Sequence, residues 1–128
     1  MTFKFSQRSE NNLDGVHPDL ILVMRQAIQT TDIDFAIIEG VRTLERQREM
    51  VRIKASQTLN SRHLTGHAVD VAPIYEGKIA WDWPLYYVLA DCIKTAAKLV
   101  DVPIEWGGDW KRAKDGPHWQ LPWTEYPK

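Results

Sequence analysis

The chain has 128 residues, 44% of them apolar and 26% charged, and sixteen basic side chains against seventeen acidic ones leave a net charge of −1. One domain over residues 1–128 can bury roughly two thirds of the surface its unfolded form exposes, and the balanced charge argues against nucleic acid as the main partner, because phosphate binding leaves a basic excess. The single cysteine, Cys92, excludes an internal disulfide and a cysteine-rich metal cluster. No stretch approaches a membrane span, and the opening Met1-Thr-Phe-Lys-Phe-Ser-Gln-Arg-Ser-Glu10 lacks the apolar core of a signal peptide. The expectation is a monomer made in the cytoplasm without membrane insertion; if its substrate lies outside the inner membrane, another agent must release it.

Asp14-Gly15-Val16-His17-Pro18 reads as a turn into a helix, with Pro18 suited to the first helical turn. Leu20, Ile21, Met24, Ala27 and Ile28 then recur at helical spacing to about Thr30. Asp34 to Glu39 is an apolar run of strand length ended by Gly40, and Thr43 can cap a second helix through about Ala55, with Glu45 near its positive end. Residues 56 to 66 are rich in polar turn formers and read as a loop, followed by a strand from His67 to Ile74. A main core helix begins around Asp82, with Leu85, Val88, Leu89, Cys92, Ala96 and Leu99 as its apolar stripe and Cys92 as a small buried residue. Ile104 to Trp106 is a short strand, Gly107-Gly108 a turn, and His118 to Leu121 a last short strand. Helices and strands intermix without a βαβ rhythm, which predicts an α+β fold with a small, mainly antiparallel sheet and helices packed on it.

Four histidines differ in their surroundings. His63 lies seven residues before Asp70, a carboxylate set between Val69 and Val71, where burial is costly unless the charge is paired or bound to a metal. His118 follows the rigid Asp115-Gly116-Pro117 turn, so its ring can be aimed from the start of a strand. Catalytic zinc takes three such ligands and leaves a fourth position for water. His63 and His67 are spaced like a helical zinc pair, but Thr65-Gly66 between them disfavours a helix. On a strand starting at residue 67, His67 and Asp70 face opposite ways, so His67 is read as structural or rim-lying. Asp115, three residues before His118, is placed to take a proton from metal-activated water and pass it to a leaving amine. Arg42, at a strand end, can stabilise an oxyanion or hold a substrate carboxylate. Each feature also has a plain reading: lone histidines are mostly ordinary surface or core residues, Asp-Gly is favoured in turns, and an arginine before a helix is mostly a solvated charge. Trp81, Trp83, Trp106, Trp110 and Trp119 are dense enough to line a cleft.

The combination Ser61-x-His63-x-x-Gly66-x-Ala68-x-Asp70, followed by Asp115-x-x-His118, resembles the signature of the zinc D-Ala-D-Ala carboxypeptidase and peptidoglycan endopeptidase family. Gly40-Val-Arg42 and Glu105-Trp-Gly-Gly-Asp-Trp110 match its pattern too, and Phe5 to Leu20 is similar to the start of its phage endolysins, the L-alanyl-D-glutamate endopeptidases. The resemblance implies a Hedgehog/D-Ala-D-Ala peptidase-like fold, Zn²⁺ held by His63, Asp70 and His118, Asp115 as acid/base, and Arg42 and Ser61 beside the substrate. Many members carry Glu at the position of Asp115; the endolysin-like branch also uses Asp. The implied activity is cleavage between L-alanine and D-glutamate in the peptidoglycan stem peptide, lysing a host with a thin, Gram-negative wall once the inner membrane is permeabilised. The rivals are a zinc D-Ala-D-Ala carboxypeptidase or dipeptidase of the same family, and a non-catalytic zinc domain that only binds the wall.

Overall fold

The structure, a computed structural model, describes residues 2–56, 58 and 60–127. In chain order it contains α1 (Gln7–Asn12), α2 (Pro18–Thr30), β1 (Phe35–Glu39), α3 (Leu44–Arg52), β2 (Ala68–Tyr75), β3 (Lys78–Ile79), α4 (Trp83–Leu99), β4 (Glu105–Trp106) and β5 (His118–Gln120). The strands pair antiparallel in the order β1-β2-β5-β4, with β3 against the end of β2. This is the α+β architecture the sequence predicts. No helix among the described residues is long and apolar enough to cross a membrane.

Local chemistry sets most boundaries. α2 starts at Pro18, and the His17 ring caps it by accepting from the Asp19 N–H at 3.0 Å. Thr43 caps α3 through a 3.0 Å bond from the Arg46 N–H to its hydroxyl; the helix stops at Arg52, three residues short of the expected end. α1 has no counterpart in the sequence reading, since six residues are too few to display a period; Ser6 caps it through the Ser9 N–H. The stretch read as a loop over 56–66 contains a 3-10 turn at Arg62–Thr65, while Gln57 and Leu59 within it lie outside the described residues.

The expected stripe on α4 requires correction. Tyr86, Leu89, Ala90, Ile93, Ala96 and Ala97 are buried, whereas Val88 and Leu99 are exposed and Leu85 and Cys92 only half-buried. Apolar residues flank both sides of this helix, so periodicity alone leaves the orientation open by part of a turn. Packing on α2 and the sheet selects the face carrying small alanines beside one aromatic ring, which lets the elements approach closely.

The core lies between one face of the sheet and the helices. Val69, Val71, Phe35, Ile37 and Trp119 meet Leu20, Val23, Met24 and Ala27 of α2 and Leu89 and Ile93 of α4. Trp119 stacks on Trp106 with ring centroids 5.7 Å apart and planes 17° from parallel. Side chains alternate faces along a strand and residues directly opposite share one. With Ala68, Val69 and Asp70 opposite Gln120, Trp119 and His118, burial of Val69 and Trp119 sends Asp70, His118 and Gln120 to the other face. A bulge in β1 between Ile37 and Glu39 places Glu39 opposite Asp70.

Gly40 closes this edge tightly, because a Cβ there would fall 1.9 Å from the Asn12 carbonyl oxygen. Gly40→Ala is expected to destabilise the protein by about 1–3 kcal/mol through overpacking, read as a lower denaturant midpoint in equilibrium unfolding.

Candidate metal centre

Three side chains from two strands and a turn converge on the polar face of the sheet. Asp70 and His118 arrive by direct cross-strand pairing. His63 arrives on the 3-10 turn, whose cap Ser61 accepts from the His63 N–H at 3.2 Å. The Arg42 N–H donates to the His63 carbonyl at 3.0 Å and ties this turn to the end of β1. His63 Nε2 lies 3.3 Å and His118 Nδ1 3.5 Å from Asp70 Oδ1. One donor atom from each of the three residues lies within 4.8 Å of the others.

Hydrogen bonds on the far side of each ring fix which nitrogen is free. His63 Nδ1 donates to the Gly40 carbonyl at 2.9 Å, which leaves a lone pair on Nε2. His118 Nε2 donates to Gln120 Oε1 at 2.7 Å, which leaves the lone pair on Nδ1. Both lone pairs therefore face the Asp70 carboxylate. His63 Nε2 and Asp70 Oδ1 are buried with no hydrogen-bond partner, a costly arrangement that a metal cation between them resolves. Two imidazole nitrogens and a carboxylate oxygen, each oriented from behind, fit a three-ligand site of the kind that leaves a position open to the cleft.

Burial pushes the Asp70 carboxyl up, but without an ion protonated His118 and His63 rings would donate to it and add their charge, which outweighs burial and holds it well below the usual carboxylate range. For His118, burial acts downward and is overcome by the Asp70 hydrogen bond and charge, so the ring is more basic than usual. Arg42 is buried behind these groups. Its Nε pairs with Glu39, Nη1 donates to Gln47 Oε1 at 2.6 Å, and Nη2 lies 3.6 Å from Asp70 Oδ2.

The site opens into a cleft of about 840 Å³ lined by Arg42, Ser61, His63, Asp70, Asp115 and His118, the six residues singled out from sequence. Asp115 stands at the turn into β5. Its N–H donates to the Gly107 carbonyl at 3.0 Å, its carbonyl accepts from the His118 N–H at 3.2 Å, and Trp106 Nε1 locks the neighbouring Gly116 carbonyl at 2.7 Å. Glycine at 107 permits this approach, since a Cβ there would sit 2.5 Å from the Asp115 carbonyl oxygen. Burial first, then the charge of Asp70, raises the Asp115 carboxyl above its ordinary value against the pull of His118, His63 and Arg42. That suits a group that both accepts and returns a proton.

His67 stays outside the trio, bonded to Thr65 Oγ1 at 2.6 Å and packed against the His17 ring at 5.4 Å, as strand parity requires. The tryptophans divide differently from the expectation. Trp110 lines the cleft, Trp106 and Trp119 belong to the core, and Trp81 and Trp83 are exposed away from the cleft lining. Trp123, passed over in the sequence, lines the cleft with the Arg62 guanidinium 4.1 Å from its ring centre. Also missed were Gln120, Gln47, Glu39 and the Gly40 carbonyl as supports. Gln120 was legible, two residues beyond His118 on one strand face; the others depend on tertiary approach.

His63→Ala and His118→Ala are expected to abolish stoichiometric metal binding. Gln120→Ala, which frees the His118 ring to rotate, is expected to weaken it by about 10–100-fold, measured by competition against a chelator of known affinity.

The family model for phage L-alanyl-D-glutamate peptidase matches residues 1–120. The L-alanyl-D-glutamate peptidase of Escherichia phage T5 is 33% identical over 119 residues, covering 90% of this chain and 87% of that protein. The peptidoglycan L-alanyl-D-glutamate endopeptidase CwlK of Bacillus subtilis is 30% identical over 111 residues, 77% of this chain and 66% of that protein. The crystal structure of the Serratia marcescens L-Ala D-Glu endopeptidase ChiX superposes with a TM-score of 0.92 at 49% identity, covering 98% of this chain and 95% of that one. Matched over its fold and nearly its full length, the chain belongs to the phage L-alanyl-D-glutamate peptidase family.

Proposed function

We propose that this chain is a zinc endopeptidase and endolysin, a single catalytic domain that hydrolyses the L-alanyl-D-glutamate bond of peptidoglycan stem peptides. The observation that carries the reading is the convergence of the free nitrogens of His63 and His118 on Asp70, with Asp115 in the same cleft. A nitrogen–nitrogen–oxygen donor set with an open fourth position suits Zn²⁺. Bound there, zinc would supply Lewis-acid polarisation of the scissile carbonyl and a water acidic enough to attack at neutral pH.

The chain's own residues do the rest. Asp115 takes the proton from the attacking water and delivers it to the leaving amine of the D-glutamyl residue. Its half-buried position and raised pKa fit both steps. Arg42 orients Asp70 and brings positive charge to the cleft wall, where it supports the oxyanion that develops on the scissile carbonyl. Ser61 holds the turn that presents His63 and lines the substrate path. As an endolysin the protein would act on the periplasmic wall of its host after membrane permeabilisation. A wall-binding module without catalysis is disfavoured by Asp115, because a purely structural site needs no free carboxylate beside it.

The test pairs zinc content with digestion of Gram-negative peptidoglycan in the presence and absence of a chelator. One equivalent of zinc and chelator-sensitive release of fragments beginning with D-glutamate is the expected result. Release of terminal D-alanine instead would assign a carboxypeptidase, and zinc without cleavage a binding module. Asp115→Asn is expected to keep its zinc while turnover falls by about 10²–10⁴; near-normal turnover would remove Asp115 from the mechanism.

A further inference from the structure

Beyond the metal donors, the cleft carries two exposed lysines that the mechanism does not use. Lys54 and Lys114 both line it and both are exposed. Among the described residues neither forms an ion pair. The other basic residues of the cleft are buried: Arg42 is tied to Glu39, Gln47 and Asp70, and Arg62 donates from Nη2 to the Leu121 and Tyr126 carbonyls and lies over the Trp123 ring, its Nε and Nη1 left without a partner among the described residues. The acidic residues are committed as well. Asp70 belongs to the metal trio, Asp115 to proton transfer, and Glu105 accepts from Trp110 Nε1 at 2.8 Å.

The backbone beneath these lysines is unusual. Lys54 has φ +62°, and Ala113, directly before Lys114, has φ +51°. Left-handed backbone costs a non-glycine residue roughly 1–2 kcal/mol, and such strain gathers at ligand clamps. Only two other non-glycine residues among those described share it, Glu76 and Asp101, and neither lines the cleft. Lys54 is held just past α3 by its N–H to the Val51 carbonyl at 3.0 Å. Lys114 is the peptide neighbour of Asp115, and both line the same cleft.

The substrate chemistry supplies an anion for this place. A glutamyl residue enters a peptide chain through its amine and one carboxyl, leaving the other free and ionised at neutral pH. In the reaction proposed above, this residue carries the leaving amine and lies against Asp115. We propose that Lys54 and Lys114 form an anion subsite for the free carboxylate of the D-glutamyl residue, which makes them specificity-determining residues on the leaving-group side. This rests on the L-alanyl-D-glutamate reading.

The test uses the full-length, zinc-loaded protein and synthetic peptides containing L-Ala-D-Glu and ending in an amide. Two peptides differ only in whether the free glutamyl carboxyl is a carboxylate or a carboxamide. Wild type is expected to favour the carboxylate by roughly three- to tenfold in kcat/KM, mainly through KM, the scale of two exposed charge pairs. The preference should shrink as salt is raised. In the double variant Lys54→Ala/Lys114→Ala the ratio should fall to near one, and in Lys54→Glu/Lys114→Glu it should invert; zinc content and thermal unfolding check that each variant is folded. Equal cleavage of both peptides by wild type, or a full preference retained in the folded alanine variant, overturns the subsite and leaves the peptidase reading standing. A preference that follows a free C-terminal carboxylate in a third peptide, carboxamide at the glutamyl position, overturns the glutamyl assignment. Cleavage of none of the peptides by wild type overturns both readings.

Discussion

The pairing of β2 with β5 is the constraint on which the rest depends. It sets Val69 against Trp119 on one face and Asp70 against His118 on the other. Burying Trp119 and Val69 in the core supplies the driving force, and the same register delivers two candidate metal donors to the opposite face. A slip by one residue would exchange the faces, exposing the tryptophan and burying the ionisable pair. Core packing and site geometry are therefore consequences of one alignment.

Around that pair the protein uses carbonyls and amides to orient rings. The Gly40 carbonyl and Gln120 each hold one imidazole nitrogen, so each remaining lone pair faces Asp70. Arg42 joins the carboxylate from the other side while bound to Glu39 and Gln47. Gln47 in turn donates to Ser56 Oγ at 2.9 Å, linking the metal side of the cleft to the segment that forms its opposite wall. Sheet-borne donors with supported rings place an ion with little reorganisation. A cation between the rings and the carboxylate would turn two lone pairs that otherwise oppose the ionised Asp70 into ligands beside it.

The cleft is asymmetric. Its floor is sheet and 3-10 turn, rigid by hydrogen bonding. Its walls are the segment following α3 and the stretch before Asp115, carried on turns with left-handed residues. In the proposed reaction the floor would carry the bond-breaking chemistry, and the walls, with Trp110, Trp123 and the two lysines, are where substrate features would be read. Such a division fits a hydrolase whose reacting atoms must be placed within tenths of an ångström while the flanking peptide needs only a complementary surface.

Much of the site was legible in the sequence because its signals are local. A carboxylate between valines, a histidine after Asp-Gly-Pro and the parity that separates His67 from Asp70 need only a short window, as do the α+β class and the start of α2. Other features required the folded chain. The buried face of α4 was decided by α2 and the sheet, because apolar residues flank that helix on both sides. Trp106 and Trp119 entered the core and Trp123 reached the cleft, since a tryptophan's position follows from what it packs against. The second partners of His63 and Arg42 come from segments brought together by β1 and the bulge opposite Asp70. Sequence by itself determined which side chains could bind a metal and move a proton, because that is a property of residue type and spacing. The tertiary structure alone decided which nitrogen of each ring faces Asp70 and which cations stay free, because those depend on contacts between residues distant in the chain.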